Sequence, residues 1–128
     1  MRLLTIIFLA LSTNLLIAQS SPSNKPIMKF DTLIYDYGEI PYKGDGNCTF
    51  KITNVGSTPL VINEVTTSCG CAAVDWPRKP IMKNESADII IKYDTRRPGN
   101  FNKSIVIKSN AENTPITLEI KGTVLAKK

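Results

Sequence analysis

The chain has 128 residues, with 16 Lys and Arg against 11 Asp and Glu, a net charge of +5 at neutral pH, and no histidine. Without histidine the Ser-His-Asp and Cys-His arrangements and the commonest zinc ligand are closed, and no glycine-rich phosphate loop is present. The positive charges are dispersed, Arg96-Arg97 and Lys127-Lys128 being pairs rather than blocks, and only 7% of residues are aromatic, so a nucleic-acid-binding stripe has no support.

The chain opens on the basic Met1-Arg2 and continues through apolar Leu3 to Leu11. After a polar break come Leu15-Leu16-Ile17-Ala18 and then Gln19-Ser20-Ser21-Pro22. A basic start, a short apolar run and a small residue before a polar segment make the pattern of a cleavable secretory signal over residues 1–18. The unbroken apolar run is shorter than the ~20 residues needed to span a bilayer, so no membrane anchor is expected after cleavage. No cysteine stands near residue 19, which argues against lipid modification. The expected product is exported to the periplasm, the cell surface or the medium. Its length, about 110 residues, suits one domain with one core. Residues 19–28, rich in Ser, Pro and Asn, read as a flexible lead-in to a domain over residues 29–126.

From there the chain breaks into short β-prone runs. The first covers residues 30–37 and stops at Gly38. In the next, residues 47–53, Cys48, Phe50 and Ile52 alternate with Thr49, Lys51 and Thr53, the period of a half-buried strand. Asn54 to Pro59 is a turn, in which the Asn54 side chain can bond nearby backbone and Gly56 can take a positive φ without steric cost. Further strands are expected over residues 60–67, 86–93, 101–108 and 114–125, with residues 109–113 as the hairpin joining the last two. No amphipathic helical pattern of ten residues occurs in the mature chain. Six or seven short strands at even spacing predict an antiparallel β-sandwich.

A set of elements then falls into a familiar order: Tyr35-Asp36-Tyr37-Gly38-Glu39-Ile40, Phe50-x-Ile52-x-Asn54-x-Gly56, Leu60-x-Ile62, Ser68-Cys69-Gly70-Cys71, Tyr93-Asp94-Thr95 and Ile120-x-Gly122. In this order they resemble the bacterial secreted domain-of-unknown-function family 1573, over roughly residues 28 to 125. The resemblance implies an immunoglobulin-like sandwich of about seven strands, akin to Hydin-like and major-sperm-protein-like domains. It also implies a place among envelope proteins of Bacteroidetes-type bacteria, with no established activity. The chain departs from the family pattern at Ala72, where threonine is usual, at Lys83-Asn84 in place of a Pro-Gly turn, and in carrying Cys48 as an extra cysteine.

The chemical handle is Cys69-Gly70-Cys71, for which three readings stand side by side. The turn is structural, its thiols packed or oxidised; or the two cysteines form a redox pair, with Gly70 permitting closure of a small ring; or two thiolates bind metal. A closed tetrahedral metal site needs four ligands, and three cysteines with Asp75 are a poor supply. Cys48 is either a buried, free small hydrophobe or bridged to Cys69 or Cys71, since three cysteines leave one unpaired.

Other candidates have plainer explanations. Asp31, Asp36, Glu39 and Asp94 read as solvated strand ends. The sequons at Asn47, Asn84 and Asn102 read as chance in a chain rich in Asn, Ser and Thr. The expected function is that of a non-catalytic binding or assembly module of the cell envelope, with no cofactor and a protein or other envelope component as partner. Its contact surface is expected at the loop from Cys69 to Trp76 and the neighbouring segment with Tyr37 and Tyr42. The alternative is thiol redox or metal handling through Cys69 and Cys71.

Overall fold

The computed structural model describes residues 24–128, so the signal at residues 1–18 and the start of the lead-in lie outside the described residues. Eight strands follow in order: β1 Met28–Phe30, β2 Ile34–Ile40, β3 Asn47–Asn54, β4 Ile62–Thr67, β5 Ala72–Asp75, β6 Ser86–Tyr93, β7 Gly99–Ser109 and β8 Ile116–Val124. They form two four-stranded sheets, β1-β3-β6-β5 and β2-β8-β7-β4, which pack as a sandwich.

The core follows from the alternation along each strand. Phe50, Ile52, Ile89 and Ile91 from one sheet meet Ile105, Ile107, Leu118 and Ile120 from the other, all fully buried. Burying each such side chain contributes about 1.5–3 kcal/mol. Ile90, between two buried isoleucines, points outward and is exposed.

The expected run over residues 30–37 is two strands, not one. Thr32 closes a local turn in which its Oγ1 accepts from the Ile34 N–H at 3.3 Å and donates to the Ile34 carbonyl at 2.9 Å. Across this turn the chain passes from one sheet to the other, and β2 consequently runs parallel to β8. All other strand pairs are antiparallel, as expected.

The lead-in is docked rather than free from Pro26 onward. The buried Pro26 accepts from the Glu112 N–H, Ile27 accepts from Val55, and the Asn113 side chain clamps Met28 by bonds of 2.9 and 2.8 Å. The docking explains Gly56. Its φ is not in the left-handed region, so the freedom that glycine has there is not what the turn uses. What it supplies is space, because a Cβ there would lie 2.5 Å from the Ile27 nitrogen and from the Lys25 carbonyl oxygen. Among the described residues a positive φ is taken instead by Lys43 at 62° and Asn84 at 65°, and by Gly38 and Gly99.

Candidate functional site

Cys69 and Cys71 form a disulfide with Cα atoms 5.3 Å apart. The bond sits where the chain crosses from β4, the edge of one sheet, to β5, the edge of the other. The crossing is anchored on both flanks. Ser68 donates its N–H to the Ser104 carbonyl at 2.9 Å and accepts from the Ser104 N–H on its hydroxyl at 3.0 Å. Thr67 Oγ1 donates to the Cys69 carbonyl at 2.6 Å, and the Asp94 N–H donates to the Cys71 carbonyl at 2.8 Å. Between these anchors Gly70 is exposed and Cys69 half-buried, while Cys71 is only 3% exposed.

Cys48 is free and buried on β3. The proposed bridges from Cys48 are corrected by the sheet order. Cys48 does lie at the same end of the sandwich, but β3 and β5 flank β6 and do not touch. Two strand spacings are about 9.5 Å, beyond the ~7 Å that a disulfide spans between Cα atoms. Among the described residues no three His, Cys, Asp or Glu side chains gather where they could hold a metal ion.

Beside the disulfide lies a cleft of about 660 Å³, walled by Lys43 to Asn47 on one side, Gly70 to Ala73 on the other and Lys92 to Arg96 at its base. The first wall is the β2–β3 loop. It is held to the base by Lys43 N–H on the Thr95 carbonyl at 3.1 Å and by Thr95 Oγ1 on the Gly44 carbonyl at 2.7 Å. Asp94 is occupied locally: its carboxylate accepts from the Arg96 side chain at 3.0 Å and from the Arg96 N–H at 3.0 Å. Those bonds hold its pKa below the ordinary value. Lys43, Lys92 and Arg96 give the cleft a mild positive surplus over Asp45 and Asp94.

The candidate contact residues separate in space. The supposed loop from Cys69 to Trp76 contains β5, and its Gly70–Ala73 part faces the β2–β3 loop across the cleft. Trp76 lies beyond β5, half-buried, with its indole N–H buried without a partner among the described residues and the Arg78 guanidinium 3.5 Å above its ring. Tyr42 is half-buried within 6 Å of two ammonium groups, Lys43 at 5.7 Å and Lys127 at 5.8 Å. Tyr37 packs edge-on against Tyr35 and donates its hydroxyl to the Gly46 carbonyl at 2.7 Å. Ser104, Lys92 and Thr95 are contributors to which sequence reading gave no role, and Ser68 entered it only as part of the Ser68-Cys69-Gly70-Cys71 element. The Tyr93-Asp94-Thr95 string was the one signal for Thr95.

Burial, reinforced by the neighbouring Cys48 thiol, raises the pKa of Tyr37, and burial likewise raises that of Cys48 despite its bond to Tyr37. Burial raises Tyr93 too, with Arg97 opposing. All three therefore hold their protons to higher pH in the folded protein than in the unfolded chain. Their contribution is full below the unfolded values of 9.0 for thiol and 10.0 for phenol, and is lost as pH rises through the folded values. Urea midpoints measured from pH 7 to 11 should be level up to about pH 8.5 and fall above it. Cys48→Ala should remove the part of the fall that begins near pH 9. A midpoint that rose with pH in this range would refute the assignment.

A family model described as "Protein of unknown function (DUF1573)" matches residues 28–124. No curated protein gives a significant match. Among solved structures, a protein of unknown function from Porphyromonas gingivalis W83 is similar at 20% identity and a TM-score of 0.68. The match covers 84% of this chain and 50% of that one, so the chain spans half the length of that relative. The seventh PapD-like domain of human CEP192 superposes with a TM-score of 0.69 at 6% identity, covering 91% of this chain and 98% of that domain. The chaperone–tip adhesion subunit complex CsuC–CsuE of Acinetobacter baumannii contributes a match with a TM-score of 0.54 at 7% identity, over 77% of this chain and 56% of that one. At these identities the likeness is one of fold alone, an immunoglobulin-like sandwich.

Proposed function

The chain belongs to the DUF1573 family, and from that premise we propose that it is an exported, non-catalytic module of the cell envelope that binds a protein partner at the β5 edge and in the cleft beside it. The observation that carries the reading is the convergence of a free strand edge with a cleft of about 660 Å³, within the range of ordinary ligand sites. β6 is the one strand neighbour of β5 among the described residues. The β5 sequence Ala72-Ala73-Val74-Asp75 carries neither the proline nor the lysine that commonly blocks strand addition. An extended peptide could pair with β5 through main-chain bonds and set side chains against Gly70 and Ala73. Tyr42 and Trp76 would flank that contact. Resemblance to a pilus chaperone–subunit complex supports a protein as the partner. Residues 1–18 and a closed disulfide both fit an oxidising compartment outside the cytoplasm.

A photo-crosslinking residue placed at Ala73 in the native host should yield discrete protein adducts. The same probe at Lys29, exposed on the opposite edge strand, should yield none. Lys92→Glu should weaken the Ala73 adducts, and the mature protein should begin at Gln19 by mass. Indistinguishable adducts from both edges, or none from Ala73, would overturn the binding reading; an intact residue 1–18 segment would overturn export.

A further inference from the structure

We infer that the Cys69–Cys71 pair is a thiol–disulfide exchange site whose substrates are protein or peptide dithiols, with Cys69 as the sulfur that meets the substrate and Cys71 as its buried partner. This goes beyond the binding role and does not depend on it. Four observations converge. The two sulfurs differ in access, Cys69 half-buried beside an exposed Gly70 and Cys71 at 3% exposure. The Cys71 N–H points at the Cys69 sulfur at 3.3 Å, a donor placed for negative charge on that atom. The turn is anchored by Ser68–Ser104 on one flank and by Cys71–Asp94 on the other, so opening the bond leaves the frame in place. Above Gly70 a substrate has room to approach, since even an added Cβ there would meet nothing within 4 Å among the described residues.

The exchange balances without any further reagent. A substrate thiolate attacks the Cys69 sulfur, the Cys69–Cys71 bond breaks, and Cys71 leaves as a thiolate that takes up the first substrate proton. The second substrate thiolate then attacks the substrate sulfur of the mixed disulfide. Cys69 departs as a thiolate beside the Cys71 N–H and takes up the second proton. The substrate dithiol becomes a disulfide, losing two electrons, and the protein pair becomes a dithiol. Run backwards, the same steps reduce a substrate disulfide. Cys48 takes no part, because it is buried and separated from β5 by β6.

The test uses the mature, folded protein in glutathione buffers of graded ratio, with differential alkylation read cysteine by cysteine by mass. Cys69 and Cys71 should open and close together while the circular dichroism spectrum is unchanged and Cys48 remains unalkylated. Cys71→Ser should form a glutathione adduct at Cys69, whereas Cys69→Ser should form none at Cys71. The pair in the folded protein should also react with dithiothreitol about tenfold faster than the disulfide of a blocked peptide of residues 68–72, because access and the amide donor belong to the fold. A pair that opens only after unfolding is a structural clip. That result, thiols that never close, an adduct on Cys71 instead of Cys69, or a rate equal to the peptide's would each overturn the inference.

Discussion

Replacing Asn54 by alanine should cost about 3–5 kcal/mol, among the larger losses for a single side chain. Asn54 is fully buried, and all of its bonding capacity is spent on main chain from three parts of the sequence. Its Nδ2 donates to the Thr58 carbonyl at 2.8 Å and to the Ile81 carbonyl at 2.9 Å. Its Oδ1 accepts from the Gly56 N–H at 3.0 Å and from the Ile27 N–H at 3.4 Å. Its own N–H and carbonyl pair with Glu85 and Asn84. The docked lead-in, the β3–β4 turn and the turn before β6 therefore meet at one amide. Alanine leaves the Gly56 and Ile27 N–H groups and the Thr58 carbonyl without their partner, while the Ile81 carbonyl keeps the Leu60 N–H at 2.9 Å; each orphaned group costs about 1–3 kcal/mol if it stays dry. Asn54→Asp should be comparably damaging, because it loses both donors and faces two carbonyl oxygens with a carboxylate. Thr53→Ala, one residue away, removes a single exposed bond to Ser86 and should shift stability by less than about 1 kcal/mol. Urea unfolding with an unchanged slope would read out the difference. A loss below about 1 kcal/mol for Asn54→Ala would mean that water replaces the amide and that the three segments are not joined there.

The Asn54 turn was legible in the sequence because a local signal coincided with a local structure. β3 and β6 were legible for the same reason: Cys48, Phe50 and Ile52 face inward at period two, and β6 runs over residues 86–93 as expected. What escaped is set by tertiary contacts. Residues 30–37 carry no glycine or proline to mark the crossing between sheets, so β1 and β2 read as one run. β5 is four residues, two of them alanine, and owes its extended form to its ladder with β6 rather than to propensity. The same limit governed the cysteines. Their sequence order and strand ends left a Cys48 bridge open beside the free, buried Cys48 that the structure shows, because which strand lies between them is a property of the sheet order alone. The cleft was half legible: the two segments expected to form one surface do face each other. Its base comes from Lys92 to Arg96, whose role is decided by where β6 ends and not by any pattern within it.

Gly46→Ala should destabilise the protein by about 2–4 kcal/mol and should also expose Cys48, whereas Gly70→Ala, across the same cleft, should change stability by less than about 0.5 kcal/mol. Gly46 is buried at the entry to β3, and its carbonyl accepts both the Tyr93 N–H at 2.9 Å and the Tyr37 hydroxyl at 2.7 Å. A Cβ built on it falls inside van der Waals contact with the Tyr93 carbonyl oxygen and 3.0 Å from Thr95 Cγ2. The Tyr93 oxygen belongs to main chain and cannot swing aside, so the loop must lift. Lifting it breaks the end of the β3–β6 ladder and frees the Tyr37 hydroxyl, which lies against the Cys48 thiol. Native-state alkylation should accordingly rise at Cys48 in Gly46→Ala and stay at the wild-type level in Gly70→Ala. The two glycines test separate properties of the cleft. The wall at Gly46 needs the missing side chain for packing, while the wall at Gly70 has open space above it and tolerates a methyl group. If Gly46→Ala were neutral, the β2–β3 loop would not be pinned to β6, and the cleft would have only one fixed wall. If Gly70→Ala were the costly change, the space above the disulfide would be closed, and neither a bound peptide nor a substrate thiol could approach Cys69 from that side.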